Sequence, residues 1–320
     1  MNDLRGLEAL EAQFWRAPSA HNTQPWRLTY GADRIGLDFD PERTLPAGDP
    51  TQRDLLLSLG AFVETVLIVS EQAGTSLEFV PGSDPTSHRV GAFTPASRPY
   101  VTSFTPHDVA RRQTSRLPYA HGRLTPDELA DARGQISADA ELHEVSTREL
   151  VELLVTGDRH MYEAPDVVEE LRDWLRLSPR HPRYELDGLS YDCLDLTRLE
   201  ASTVALLLRP RVYPIVRGMG VHRSFSASTS KLLQREGSAL VLAATADSPN
   251  EILAQGRSLY RVWLALGRRG LHTHPLSQIL DCPMTEQALV SLVEAPADRR
   301  LLSVFRAGRS EPPARSHRLR

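Results

Sequence analysis

The 320-residue chain has a single lysine, two cysteines and no long apolar run, and each shortage narrows what it can be. Cys193 and Cys282 are too few for a disulfide scaffold and lack the close spacing of a zinc site, so a reducing, cytoplasmic setting is expected. No stretch approaches the roughly 20 uninterrupted apolar residues of a membrane span, and the opening Met-Asn-Asp-Leu-Arg-Gly-Leu-Glu has no apolar core of signal-peptide length. With Lys231 the only lysine, nearly every fixed cationic contact must be a guanidinium. A formal net charge of −4 argues against nucleic acid as the main partner and favours a small molecule. No Gly-x-Gly-x-x-Gly follows a strand-like run, which removes the usual dinucleotide fingerprint, and no Ser-His-Asp or paired-carboxylate constellation stands out.

What is present is an ordinary globular balance, 41% hydrophobic and 24% charged, in a chain long enough for one large domain or two. Leu4, Leu7, Leu10, Phe14 and Trp15 predict an amphipathic helix over 3–16. Short strands are expected at 26–30 and 35–39, and a long helix over 52–73, with Leu55, Leu59, Phe62, Val63, Leu67 and Ile68 on a wide apolar face. Residues 81–107, rich in Pro, Ser, Thr and Gly, read as loops around a short strand and mark a boundary. Thr125-Pro126-Asp127-Glu128 opens a helix at 126–134. Further helices are expected at 147–160, 165–176 and 194–208, with 178–190 as a mobile connector. Residues 238–245 predict a buried strand, 250–269 a helix buried on most sides and 301–306 a last strand. Short strands among long helices, without repeating βαβ units, indicate an α+β fold.

Four stretches carry chemistry. Ala17-Pro18-Ser19-Ala20-His21-Asn22-Thr23-Gln24-Pro25-Trp26 sets a hydroxyl, carboxamides and an imidazole on proline-stiffened backbone, the mixture a flat heteroaromatic ring would need, although Ser, Asn and Pro also serve as plain turn and cap residues. Arg111-Arg112-Gln113-Thr114-Ser115-Arg116 alternates cations and hydroxyls in a way that suits a phosphate plus a polar ring edge, or a solvated helix start. The third is Gly270-Leu271-His272-Thr273-His274-Pro275-Leu276-Ser277. Its two histidines lack a third ligand nearby, so no metal is expected. The fourth is the tail, Phe305-Arg306-Ala307-Gly308-Arg309 followed by Arg315-Ser316-His317-Arg318, readable also as a frayed basic end.

Pro-Ser-x-x-Asn-x-Gln-Pro-Trp resembles the signature of the nitroreductase family of flavin enzymes, and the form with His before Asn is similar to that of its Acg branch of FMN-binding proteins. The resemblance implies an α+β, nitroreductase-like fold with an antiparallel or mixed sheet core flanked by helices. Two fused, diverged halves, 1–105 and 106–320, would meet at an FMN site. It further implies cofactor contacts from Pro18, Ser19, Asn22 and Gln24 on one side and from Arg112, Gln113, Thr114 and Arg116 on the other. Arg112 and Thr114 would lie near the phosphate or ribityl, and Arg116 near N1 and the C2 carbonyl. Pro275, Leu276 and Ser277 would bring backbone N–H groups to the N5 side, and Arg315 and Arg318 would reach the phosphate, with Lys231 an outside candidate. Thr114 replaces the usual Ser, and one extra residue precedes Tyr119. The implied activity is hydride passage from NAD(P)H or an organic donor, through flavin N5, to a quinone, nitro compound or unsaturated metabolite, with no catalytic side chain. The alternative is non-catalytic storage or sequestration of FMN. Lids are expected near 41–51 and 178–190. The assembly would be a monomeric pseudo-dimer or a homodimer, without nucleic acid or membrane as partner.

Overall fold

Two four-stranded antiparallel sheets, each with a 20-residue helix beside it, organise the chain. In the computed structural model, residues 3–82, 88–220, 227, 230, 231 and 233–320 are described. The first sheet holds β1 (Trp26–Tyr30), β2 (Ile35–Phe39), β3 (Leu77–Pro81) and β4 (Arg89–Pro95) in the order β1-β2-β4-β3. The second holds β5 (Ala140–Ser146), β8 (Ser238–Ala244), β9 (His272–Pro275) and β10 (Arg300–Gly308) in the order β5-β8-β10-β9. Between β5 and β8 in sequence, the two-residue strands β6 (Leu175–Arg176) and β7 (Leu189–Ser190) pair in parallel. Strand β8 is buried at every position because it is paired on both edges and covered on both faces.

The helices are α1 (Glu11–Phe14), α2 (Arg53–Gln72), α3 (Pro106–Arg111), α4 (Pro126–Arg133), α5 (Val151–Glu163), α6 (Pro165–Trp174), α7 (Arg198–Leu207), α8 (Tyr213–Gly218), α9 (Pro249–Arg268), α10 (Gln278–Asp281) and α11 (Pro283–Val293). Their starts follow from local chemistry. Thr105 with Asp108, Thr125 with Glu128 and Ser248 with Glu251 form reciprocal capping boxes, each followed by a proline that has no N–H to satisfy.

Helices α2 and α9 pack against each other, and glycine makes the contact possible. A Cβ on Gly60 would stand 2.1 Å from the Leu253 carbonyl oxygen, and one on Gly256 would stand 2.5 Å from that of Leu57. The backbones therefore touch directly, and one apolar cluster runs from Leu57, Ala61 and Ile68 of α2 into Ile252, Leu259 and Trp263 of α9. Buried Glu64 of α2 meets Arg257 at 2.9 Å and Arg261 at 3.2 Å, and Tyr100 donates to it, so this buried carboxylate is paired and hydrogen-bonded.

Local details depart from the periodicity reading. The expected helix over 3–16 is a 3₁₀ helix, Leu4–Leu10, followed by the single turn of α1. Leucines spaced by three match the eclipsed i, i+3 faces of a 3₁₀ helix better than a 3.6-residue repeat. The short strand expected within 81–107 is β4, and α3 begins at the end of that stretch, where no helix was expected. Strand β5 is an addition, with Ala140 and Leu142 buried on one face and Val145 on the other, and so is α11. The 147–160 helix begins as a 3₁₀ turn, Thr147–Leu150, before α5.

Substituting Gly60→Ala should lower the denaturant midpoint by an amount corresponding to about 1–3 kcal/mol or more, because the added methyl has backbone rather than a flexible side chain to displace. Gly6→Ala, with nothing within 4 Å, should leave it within about 0.5 kcal/mol. Equal midpoints for the two variants would refute the close-contact account.

Candidate functional site at the seam

The first motif is pinned at both ends on α2. Trp26 stacks on Phe62 at 4.4 Å, and Trp15 meets both rings edge-on. Between these anchors, His21, Asn22 and Gln24 all have positive φ, at 47°, 56° and 52°, a strained run for non-glycine residues. Ser19 Oγ accepts from the Gln24 N–H at 2.9 Å and holds the loop closed.

Arginines converge on this loop from three segments. Arg16 ends the N-terminal helical stretch, Arg112 follows α3 and is 5% exposed, and Arg315 and Arg318 come from the C-terminal tail. Arg16 donates to the Ser316 carbonyl at 3.3 Å, Arg315 to the Ala110 carbonyl at 2.8 Å, and Arg318 to Asn22 Oδ1 at 2.8 Å. Among the described residues none of the four meets a carboxylate, and the buried Nε atoms of Arg16, Arg112 and Arg318 have no hydrogen-bond partner. Burial, then repulsion from Arg315 and Arg112, lowers Arg16 to about 10. Burial followed by Arg16 and Arg112 holds Arg318 well below its usual range. Arg315 is exposed, but Arg16, Arg112 and Arg318 are like charges drawn towards the interior without a carboxylate, an arrangement that is costly without an anion nearby.

Arg116 stands apart from this group. Its Nη1 donates to the Cys193 carbonyl at 3.1 Å, and its electrostatic neighbours are His21, Arg306 and His274. Arg306, 1% exposed, was not singled out by sequence as a site residue. It donates to His274 Nδ1 at 3.1 Å and to the Leu117 carbonyl at 3.0 Å, and its guanidinium lies 4.0 Å over the Tyr119 ring. It therefore shapes the turn that carries Arg116. An arginine within a strand of otherwise buried residues was the available signal. Burial first, then Arg306 and Arg116, keep His274 well below its usual pKa, so it is neutral and able to accept.

The four motifs meet. The Ser115 N–H donates to the Thr273 carbonyl at 3.1 Å, and Thr114 bridges Thr273, joining the second motif to the third. Asn22 Nδ2 donates to the carbonyls of Gly188 and His317, both at 3.1 Å. Gln24 donates to the Leu186 carbonyl at 3.0 Å and accepts from the Leu319 N–H at 2.9 Å. These two carboxamides thus hold the tail and the 186–188 segment, and Gln24 is fully buried in doing so. Gln113 is partly buried, as are Pro18 and Ser19. One expectation is corrected: the Leu276 N–H is engaged by the Val304 carbonyl at 2.8 Å as the chain leaves β9, and Pro275 has no N–H, so neither donates to a ring. Ser277 is partly buried at the start of α10, and Lys231 is exposed on a helical turn.

Segment 178–190, expected as a mobile connector, is tied down. The carboxylate of Asp187, with no side-chain exposure, meets Arg43 at 2.7 Å, Arg176 at 2.9 Å and Arg183 Nε at 2.9 Å. Arg43 belongs to the other expected lid, whose Ala47 and Gly48 N–H groups donate to Glu170 of α6. The two segments form one cover over the Asn22–Gln24 loop. A cleft of about 490 Å³ lined by Glu42, Asp166, Glu169, Glu170, Asp173 and Trp174 lies beside this cover and includes none of the convergent arginines.

No family model matches the chain. Over 299 residues it is 27% identical to a Mycobacterium tuberculosis protein that carries the name NAD(P)H nitroreductase acg, covering 88% of this chain and 83% of the relative. It is 23% identical to the NAD(P)H nitroreductase PigM of Serratia sp., covering 87% and 81%. The FMN-dependent nitroreductase NfnB of Mycobacterium smegmatis, solved with NADPH, aligns over 64% of this chain and 88% of its own at 15% identity and a TM-score of 0.38. The chain is a nitroreductase-like protein. Within that class it is related to Acg and PigM.

Replacing Asp187 with Asn should loosen the cover, costing about 3 kcal/mol or more by leaving three guanidiniums without their shared carboxylate, with faster tryptic cleavage after Arg183. Burial opposes ionisation of Asp187, but Arg183, Arg43 and Arg176 hold its carboxyl at about 2. A depressed pKa gives stability that is present above the ordinary Asp value of about 3.9 and lost as pH falls through 2. An Asp187→Asn variant with the same melting temperature as the parent at neutral pH and an unchanged acid limb would contradict this.

Proposed function

We propose that the chain binds FMN at this seam and acts as an FMN-dependent oxidoreductase of nitroreductase type. The observation that carries the reading is the set of four convergent guanidiniums, Arg16, Arg112, Arg315 and Arg318, without a carboxylate among the described residues. A phosphate is the complement of such a set: its oxygens accept from several guanidiniums at once, and its charge offsets their repulsion. Arg16 joins the phosphate candidates beside the three that the motifs suggested. Arg116, set among His21, His274 and the Cys193 carbonyl, suits the polar edge of the ring, where a fixed cation favours the reduced state. The 27% likeness to Acg over most of the chain supports the same reading.

When bound, the flavin supplies hydride chemistry, from NAD(P)H or another organic donor to a small acceptor such as a quinone, nitro compound or unsaturated metabolite. The protein's part is to bind, orient and exclude water. In this reading residues 1–105 supply the strained loop and Arg16, residues 106–320 supply the remaining arginines and the 186–193 part of the cover, and the site lies where they join. Asn22 and Gln24 act by holding the cover and tail in place over the ligand.

The purified protein should be yellow, and anaerobic NADPH should bleach the flavin band within seconds. A band that persists for hours would instead favour the flavin-holding role, and colourless protein indifferent to added FMN would reject both. Arg16→Met should weaken FMN binding by about 1.5–3 kcal/mol, roughly 10- to 150-fold, and leave riboflavin binding unchanged, since only FMN carries the phosphate. Arg116→Ala should weaken both ligands by a similar amount. Titration by flavin fluorescence distinguishes these outcomes.

A further inference from the structure

The two histidines of the third motif take alternate positions on β9, so they share one face of the second sheet, and each is engaged at Nδ1. His272 Nδ1 lies 3.1 Å from Ser310 Oγ, which is 2.9 Å from Ser115 Oγ. His274 stands directly opposite Arg306 in the antiparallel pair of β9 and β10, and its Nδ1 accepts from Arg306 Nε at 3.1 Å. A guanidinium can only donate. The nitrogen that receives its hydrogen bond therefore carries no proton, and the proton of His274 sits on Nε2. Among the described residues that Nε2–H has no acceptor.

Arg306 holds more than the histidine. Its Nη2 donates to the Leu117 carbonyl at 3.0 Å and to that of Ser115 at 3.3 Å, and its guanidinium lies 4.0 Å over the Tyr119 ring. Tyr119 in turn donates to the Ser115 carbonyl at 3.0 Å. Arg306 and Gly308 are alternate residues of β10, and the same ring meets both, since a Cβ on Gly308 would stand 2.6 Å from Tyr119 Cδ2. The turn that contains Arg116 is thereby fastened to one strand.

Packing alone does not call for this arginine. Arg306 is 1% exposed, meets no carboxylate among the described residues, and its Nη1 is buried without a partner. An apolar side chain of similar length would fill the space without the cost of withdrawing a cation from water. A residue that breaks the apolar rule inside a buried strand marks a functional demand.

On the basis of the flavin site proposed above, we infer that Arg306 is a positioning residue: it locks His274 with the proton on Nε2 and fixes the turn that carries Arg116. The lock narrows what the seam accepts. His274 Nε2–H and the Arg116 guanidinium are donors only, so this wall selects an acceptor on the ligand, such as a ring carbonyl, over an amino group. Arg116 acts electrostatically on both Arg306 and His274, and burial together with the two guanidiniums keeps His274 neutral, in agreement with the hydrogen bond it accepts.

Nitrogen–proton NMR of the ligand-free protein reads the lock, with the His274 signals assigned by their loss in His274→Gln. The parent should show a protonated Nε2 and a bare Nδ1 at neutral pH. Arg306→Lys should keep that pattern, because an ammonium too can only donate, whereas Arg306→Met should give a mixture of both tautomers. A parent with its proton on Nδ1, or an Arg306→Met spectrum equal to the parent's, would overturn the lock. Flavin titrations read the positioning. FMN and riboflavin should both bind roughly tenfold or more weakly to Arg306→Met and recover to within about threefold of the parent in Arg306→Lys. Should Arg306→Met not fold, His274→Leu, which removes the Nε2 donor and leaves Arg306 in place, should show the same roughly tenfold loss. Riboflavin binding unchanged in these variants would overturn the positioning role. Parent protein with the expected tautomer that takes up neither FMN nor riboflavin would overturn the flavin site, and the positioning role with it, while the lock itself stood.

Discussion

The contact between α2 and α9, backbone to backbone at Gly60 and Gly256, is the constraint from which the rest of the molecule follows. It brings two antiparallel sheets into one body and fixes which loops face each other across the join. The aromatic set of Trp15, Trp26 and Phe62 ties the strained first loop to one of these helices. Arg112, seated beside Tyr260 and Trp263, ties the second motif to the other. A side chain at either glycine would separate the helices, and the two walls of the seam would separate with them.

Charge is sorted along that seam. Guanidiniums without a carboxylate among the described residues gather there, whereas the buried Glu64 and Asp187 elsewhere are paired with arginines. The contrast separates structural charge from site charge. Glu64 and Asp187 have arginine partners, whereas the buried Nε atoms of Arg16, Arg112 and Arg318 have no acceptor among the described residues. The cover belongs to the same logic. Asp187 draws Arg43, Arg176 and Arg183 onto one carboxylate, and Asn22 and Gln24 hydrogen-bond the 186–188 segment.

Much of this was legible in the residues. The long helices and β1, β2 and β8 have unambiguous apolar faces or runs, and their boundaries fall within a few residues of expectation because capping boxes and prolines announce them. The four motifs could be picked out because each combines residue types that a plain loop seldom needs together. The three-residue spacing of Leu4, Leu7 and Leu10 fits two helical periods and does not by itself distinguish them, and the alternation in β5 is too brief to mark a strand. The role expected of the Leu276 N–H failed for a reason invisible in one dimension, since strand pairing with β10 had already taken that donor.

By itself the sequence determined the residue chemistry: almost all cations as arginine, a stiffened polar loop, apolar faces of the right period, and glycines available for close approach. Tertiary structure alone decided which arginines would meet a carboxylate and which would meet only carbonyl, hydroxyl or carboxamide oxygens. Arg16 and Arg318 are some 300 residues apart and both approach Arg112, while Arg43, no different in type, is spent on Asp187. Ionisation and pairing depend on distance and on exclusion of water, and both are set only when separated segments are packed against one another.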